Sequence, residues 1–497
     1  MKHLRIEAVL GERMPAWTLR SVELLEASGA CALTRVGSPR RPDQGGLALR
    51  CFRKLDRKFF FPRPHALDQQ PAAGKPAAEA GREHSAAADV VFDPANLLGA
   101  DSAGLAGKRL WQYQGCGPGL GLREVAVLAP YVRIALVERA PGEEITLAES
   151  TGERDTRSMA RTQDALLWRA AELPLRVVRR LAAGAAPPGP IGARDFGISD
   201  PGLLDVARAG LRVASRVITD RVRDRLRPAK WCIGWQPKSA KADVTTMKWL
   251  VAPPGRCWAD PFPHEHGQHR GIFLEESPVP IGRGSISYLP WNFERQDWDA
   301  ALSVLREPFH LSYPFVFEHE GRVYMVPETA EAGQVRLYRC DCYPGEWKLE
   351  RVLLDGIIAV DSTLLQHQGR WWLFAAVAVP RSRPDELCLF HAASPLGPFE
   401  PHPLNPVLSD LRAARPAGRI FVENGVLLRP SQDCAGGYGR ALVFNRIVEL
   451  TPDRYREEII RRIDPGWQPE VRTIHTWNES ANLTCIDSIR SVKQSRF

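Results

Sequence analysis

One short motif returns four times in the second half of the chain and restricts its fold more than any other feature. Two apolar runs flank a polar turn that carries a glycine. The first copy reads Asp260-Pro-Phe-Pro-His-Glu-His-Gly, followed by Ile272-Phe-Leu-Glu-Glu. The second surrounds Gly321, with Pro314-Phe-Val-Phe before it and Arg322-Val-Tyr-Met-Val after it. The third surrounds Gly369, with Ser362-Thr-Leu-Leu and Arg370-Trp-Trp-Leu-Phe, and the fourth surrounds Gly425, with Gly418-Arg-Ile-Phe. The successive glycines lie 54, 48 and 56 residues apart. A glycine in a tight polar turn accepts positive φ, so each copy reads as a β-hairpin. A period near 50 with one hairpin and further outer strands per unit is that of propeller blades. Thr473–Ile489 offers material for a fifth blade. A β-sandwich with irregular repeats is the alternative.

The first half has another texture. Leu4–Leu10 reads as a buried strand, Trp17–Ala27 as a helix, Cys31–Val36 as a second strand and Asp89-Val-Val-Phe as a third, the opening of an α/β sheet. Ala160–Leu181 reads as one amphipathic helix. Arg63–His84 and the proline-rich 182–202 read as loop and linker. Leu203–Leu226 is a basic amphipathic helix, either a docked connector or a membrane-surface element. The expected organisation is therefore an α/β domain over 1–181, a linker and connector helix over 182–230, and an all-β propeller over 231–497.

Composition narrows the function classes. The formal charge is +8, but the arginines are scattered, and the densest run, Arg221–Arg227, is interrupted by Asp224. Nucleic-acid binding would need a clustered basic face with interleaved aromatics, so it is not expected. Of ten cysteines only Cys340 and Cys342 form a close pair, which makes a structural zinc site unexpected. No run of about 18 apolar residues and no apolar signal core occurs. A cytoplasmic protein with no metal, cofactor or transmembrane segment is the expectation. The glycine-rich Gly115–Gly121 lacks both the Gly-Lys-Ser/Thr ending and the spacing of a phosphate loop.

Trp258-Ala-Asp-Pro-Phe, His310-Leu-Ser-Tyr-Pro-Phe-Val-Phe, Val360-Asp-Ser-Thr-Leu, Arg415-Pro-Ala-Gly-Arg-Ile-Phe and the loop Pro430–Arg440 together carry a resemblance. Residues 231–487 resemble the N-terminal domain of plant glucosamine inositolphosphorylceramide transferases and its bacterial relatives. That resemblance implies a five-bladed propeller of the type used by arabinanases and β-xylosidases, with a sugar-related role. In the plant enzymes the glycosyltransferase lies in a different domain, so a glycosyltransferase partner is implied. More weakly, Leu4–Leu10, Met14-Pro-Ala-Trp17 and Leu110-Trp-Gln-Tyr resemble the formyltransferase fold. That family uses an Asn, a His and an Asp. Its histidine would fall at about Gln112–Gly115, and the chain has none between His84 and His264, which implies a degenerate domain without a general base.

Aligning the repeats by their glycines places Asp260, Tyr313, Asp361 and Ala417 at equivalent positions. By resemblance to the hydrolases, Asp260 and Asp361 take the places of two catalytic carboxylates, which in glycosidases flank the scissile bond. The proton-donating acid expected from the fourth blade is replaced by Arg415-Pro-Ala-Gly-Arg, and Glu328 is the substitute candidate. Arg415 and Arg419 are candidates for gripping a phosphate or carboxylate. Gln432, Asp433, Tyr438 and Arg440 form a polar glycine-rich loop suited to ligand contact. His310, Tyr313 and Trp258 complete the candidate binding set, Trp258 as a face for a sugar ring. His264, His266, His319 and His367 recur at the turns and read as structural. The leading expectation is a propeller that binds a sugar or sugar-phosphate in glycan or glycolipid synthesis. A glycosidase or sugar transferase using Asp260, Asp361 and Glu328 is the second, amino-sugar N-formylation the third and a purely structural scaffold the fourth.

Overall fold

The computed structural model describes residues 4–491 except 39, 41, 62–63, 73–87, 99–107, 118, 128, 141–142, 156, 186–201, 227–228, 239–241, 280–281 and 380–381. Most of the expected loop 63–84 and of the linker 182–202 lies outside these residues. The chain divides into two units, Met1–Asp220 with Val379–Arg383, and the remainder from Arg221.

In the first unit a six-stranded sheet runs in the order Cys31–Ser38, Leu4–Gly11, Val90–Asp93, Arg109–Gln114, Tyr131–Ala140 and Glu143–Glu153. Its first four strands pair in parallel and the last two join antiparallel. Apolar runs such as Val90-Val-Phe are buried, as parallel strands with two covered faces require. Helix Ala16–Ser28 ends where Gly29 adopts φ 62°. The helix expected over 160–181 is two: Met159–Ala170, capped by Ser158, and Leu173–Ala182. Pro174 starts the second because a proline ring fits a first helical turn but not an interior one.

The second unit is a five-bladed propeller. Blades 1 to 4 begin with the innermost strands Arg256–His266, Ser312–His319, Ala359–His367 and Arg415–Pro416 with Phe421–Glu423. Blade 5 is built from both ends of the domain, in the order Lys248–Val251, Ala229–Pro237, Leu483–Ser491 and Trp477–Glu479. Ala229–Pro237 and Leu483–Ser491 pair antiparallel along their whole length, from Pro237 opposite Leu483 to Ala229 opposite Ser491. The repeated hairpin turns have the expected chemistry. Glu320-Gly321, Gln368-Gly369 and Asn424-Gly425 each place two consecutive residues at positive φ, the type I′ geometry whose twist matches the strands. The packing between blades 1 to 3 is largely aromatic, with Phe262 against Tyr313 and Phe315, and Phe317 against Trp371.

Candidate functional site

The inner strands of blades 1, 2 and 3 share an irregularity. Each slips register by one residue, between Ala259 and Phe262, Ser312 and Phe315, and Val360 and Thr363. At each bulge a non-glycine residue sits in the left-handed region: Asp260 at φ 51°, Tyr313 at 45° and Asp361 at 53°. That conformation is unfavourable for a side-chain-bearing residue, so its threefold repetition at aligned positions requires surroundings that hold it. In blade 4 the equivalent turn contains Gly418 at φ 134°, where a Cβ would stand 2.0 Å from the carbonyl oxygen of Trp477.

These positions are tied into one buried network. Asp260 Oδ2 accepts the backbone N–H of Tyr313 at 3.1 Å, and the Asp260 N–H donates to Asp487 Oδ2 at 2.9 Å. The Tyr313 hydroxyl accepts the N–H of Gly418 at 2.6 Å and lies 2.9 Å from Thr363 Oγ1. Asp361 Oδ2 accepts from Arg415 Nε at 2.5 Å and from Gln432 Nε2 at 3.1 Å. His475 Nδ1 stands 3.0 Å from Asp487 Oδ2 and 3.2 Å from Asp260 Oδ1, while its Nε2 is 2.7 Å from the Tyr438 hydroxyl. Thr476 adds two donors to Asp487 Oδ1, from its N–H and its hydroxyl.

The electrostatics divide the carboxyls. Burial alone lowers the pKa of His475, but Tyr438, Asp487 and Asp260 raise it well above the ordinary imidazole value, which favours the protonated ring. Its Nε2–H then donates to Tyr438, which leaves the phenolic proton available to another acceptor. Burial raises Asp487, but His475 and the surrounding donors bring it below the ordinary carboxylate value. Burial, only partly offset by His475, raises Asp260. Glu275 is raised well above the usual range by burial and by Asp260 and Glu328. Glu328, which accepts the N–H of Asp361, is raised to about 8 by burial and the Asp361 charge, against the pull of Arg415. Glu328 therefore holds its proton more readily than an ordinary carboxyl beside the Asp361–Arg415 ion pair, and the surroundings of Glu275 favour its protonated form.

Two layers result. Asp260, Tyr313, Asp361, Gln432, His475 and Asp487 are buried. Glu275, His310, Glu328 and Arg415 are only partly buried, and Tyr438 is 44% exposed, with the Arg415 guanidinium 4.8 Å over its ring. His310 Nδ1 accepts the Gly284 N–H at 3.0 Å, so its other nitrogen carries the proton, 3.7 Å from Glu275 Oε1. Burial lowers the His310 pKa and keeps the ring neutral.

The structure does not bring every sequence candidate to this cluster. Trp258 packs in the core beside Ile233 and Trp235, and its indole N–H donates to Glu276 at 2.9 Å. It has no free face for a sugar ring because its strand turns it between blades. Asp433 is buried, accepts the Ala435 N–H at 2.7 Å and pairs with Arg462, so it shapes its own loop. Arg440 is exposed beside Gly436. Arg419 joins blades: its N–H donates to Asn478 at 2.8 Å, its guanidinium donates to Val316 O and lies 4.7 Å over Phe315. Sequence reasoning missed Glu275, His475 and Asp487. The available signals were a charge in an otherwise apolar strand, Ile272-Phe-Leu-Glu, and a histidine at the start of the fifth blade's inner strand. Among the described residues, Asp260, His475 and Asp487 are the one group whose atoms (all within 4.8 Å of one another) could hold a metal ion. In the first unit, Gln112 opens the stretch Gln112–Gly115 where a histidine is expected by resemblance. It is buried, donates to Asp93 at 2.9 Å and accepts from Arg139 at 2.6 Å.

Residues 240–487 match the family described as glucosamine inositolphosphorylceramide transferase 1, N-terminal. This propeller belongs to that family. Similar relatives are the glucosamine inositolphosphorylceramide transferases 1 of Oryza sativa subsp. japonica, 38% identical over 208 residues, and of Arabidopsis thaliana, 36% identical over 209. Each match covers 41% of this chain and 28% or 27% of the relative, so the chain spans under a third of the curated relatives it matches. Among solved structures, the family 117 glycoside hydrolase Zg3597 of Zobellia galactanivorans has a TM-score of 0.35 at 12% identity, covering 54% of this chain and 92% of that one. The catalytic domain of the Coprinopsis cinerea GH62 α-L-arabinofuranosidase has a TM-score of 0.36 at 12% identity, covering 52% and 97%.

Proposed function

We propose that the axial site of the propeller binds a sugar or sugar-phosphate, in glycan or glycolipid synthesis and in service of a separate transferase. The observation that carries this reading is the threefold left-handed bulge. It holds Asp260, Tyr313 and Asp361 in a buried frame and leaves Glu275, His310, Glu328, Arg415 and Tyr438 as the less buried face. That face mixes donors, acceptors and one aromatic ring, the means by which proteins grip polyols. The family relation supports the glycolipid context, since the plant relatives are named glucosamine inositolphosphorylceramide transferases. A cytoplasmic location and a glycosyltransferase partner belong to the same reading, and fractionation and co-purification test them. The direct test is thermal-shift screening against nucleotide sugars, inositol phosphates and amino sugars. A ligand at a hundred times its Kd adds about 2.7 kcal/mol. Stabilisation of the wild type and none of Tyr438→Ala is the expected result. Stabilisation of both alike would move the ligand elsewhere.

A second reading rests on Glu328. A carboxyl titrating at about 8 beside the Asp361 carboxylate has the divided protonation of an acid and its partner in glycoside cleavage or transfer. Turnover of aryl glycosides, abolished by Glu328→Gln, is its test. Absence of turnover with every sugar that binds would leave binding alone.

A further inference from the structure

Helix Leu47–Phe60 in the first unit carries an apolar stripe on the wrong side. Its buried contacts are Leu49, with Phe52 packed beside it, and Asp56, which accepts from Ser158 Oγ and the Ala160 N–H. Leu47, Cys51, Leu55 and Phe59 recur every four residues on the outer side and are exposed, Leu47 by 69%, Leu55 by 57% and Phe59 by 71%. At 100° per residue these four lie along one flank of the helix. Arg50, Lys54 and Lys58 follow the same spacing on the adjoining flank, all three exposed. Among the described residues none of the three forms a salt bridge, whereas Arg57 is paired with Asp68.

A second helix extends this surface. Residues 203–216 of helix Leu203–Leu226 pack on the first through Val206, Ala209 and Val213, and a Cβ at Gly210 would meet the Phe52 ring at 3.8 Å. Leu204 and Leu211 are exposed by 72% and 73%. Helical spacing puts Leu204 and Leu211 together on the outer face of the second helix, away from Val206 and Val213, while Leu55 and Phe59 lie on the flank next to Phe52. Both helices of the pair thus expose apolar residues, and the first carries cations beside its stripe.

We propose that this helix pair is a docking surface for an anionic lipid bilayer. The apolar stripes enter the interface and Arg50, Lys54 and Lys58 face the headgroups. Charge decides between occupants. A protein partner or a second copy would need to bring acids against three cations in a row, while an anionic leaflet presents negative charge along the whole helix.

The test is co-sedimentation of the full chain with phosphatidylcholine vesicles containing 0 or about 30% phosphatidylglycerol, an anionic content on the order of that in anionic leaflets. The expected result is binding to the anionic vesicles that falls at least about tenfold on neutral vesicles and in Leu55→Glu/Phe59→Glu. Lys54→Gln/Lys58→Gln should weaken binding and reduce its salt dependence, since screening acts on charge alone. Both pairs lie on the surface, so unchanged melting curves verify folding. Wild-type protein left in the supernatant, or equal binding by Leu55→Glu/Phe59→Glu, overturns the proposal. So does a concentration-dependent dimer in sedimentation that the same double variant abolishes, which would assign the surface to a second copy.

Discussion

The carboxylate of Asp260 accepts the backbone N–H of Tyr313, its counterpart in the next blade, at 3.1 Å. Two strained positions therefore hold each other. The Tyr313 hydroxyl continues the chain by accepting the N–H of Gly418 at the fourth blade's bulge. Left-handed conformations cost on the order of 1–3 kcal/mol each and persist only where surroundings fix them.

The Asp361–Arg415 pair should be strongly coupled. Asp361 is buried, so Arg415→Ala leaves its charge without its main cationic partner and should destabilise the protein by roughly 3 kcal/mol. Asp361→Ala should cost a similar amount. The double variant should cost clearly less than the two together, as residues in one network do. Urea unfolding of the four proteins measures this, and strict additivity would show that the pair is not a unit.

Glu328 sets a pH dependence of known sign. Its folded pKa, about 8, exceeds the ordinary 4.5, so the folded state binds the extra proton between those values. Stability should then fall as pH rises from about 4.5 to about 8. Glu328→Gln imitates the protonated acid. It should remove this part of the slope and be more stable than wild type above pH 8, by roughly 2 kcal/mol after allowance for its partial exposure. Melting curves across pH 5–9 decide it; parallel profiles for the two proteins would contradict the assignment.

His475 and Asp487 act in opposite windows. The raised His475 contributes stability that is complete below the ordinary imidazole value and is lost as pH rises through its folded value. The lowered Asp487 contributes stability that is present above its ordinary value and is lost on acidification through its folded value. His475→Gln should remove the alkaline component and leave Asp487 a buried charge, at a cost of roughly 3 kcal/mol. NMR titration of the His475 ring provides a direct check, since a ring neutral at pH 7 would reverse the sign.

Gly418→Ala should be among the most damaging single substitutions. The new Cβ would overlap backbone at 2.0 Å and the residue would need φ 134°. A loss of roughly 2–4 kcal/mol is expected, against under about 0.5 kcal/mol for alanine at Gly345, which is exposed, lies outside the left-handed region and has open space where a Cβ would stand. Chemical denaturation of both variants tests the contrast.

The blades were legible because a tight turn needs positive φ, and glycine advertises that need at each repeat. Asp260, Tyr313 and Asp361 were found by the same alignment. Their partners were not, because Glu275, His475 and Asp487 come from other strands or the irregular fifth blade, and no local pattern links residues 260, 475 and 487. Trp258 and Asp433 misled for the opposite reason. Composition cannot tell a tryptophan or acid aimed at the axis from one turned toward a neighbouring strand. The break at Pro174 was visible in principle, since the apolar spacing on both sides matches one long helix but proline does not.

The pairing of Ala229–Pro237 with Leu483–Ser491 gives the ring a clasp. His475 and Asp487, which complete the buried network, lie in or beside the strands that fasten it. During synthesis the first four blades leave the ribosome with an unfinished centre, and the frame can lock only once the final strand returns to residue 229. A premature stop or C-terminal trimming that removes 483–491 would therefore delete more than an edge. It would remove Asp487 and leave His475 without its counter-ion, while Ala229–Pro237 would lose its strand partner, so ligand binding reports whether the clasp is closed.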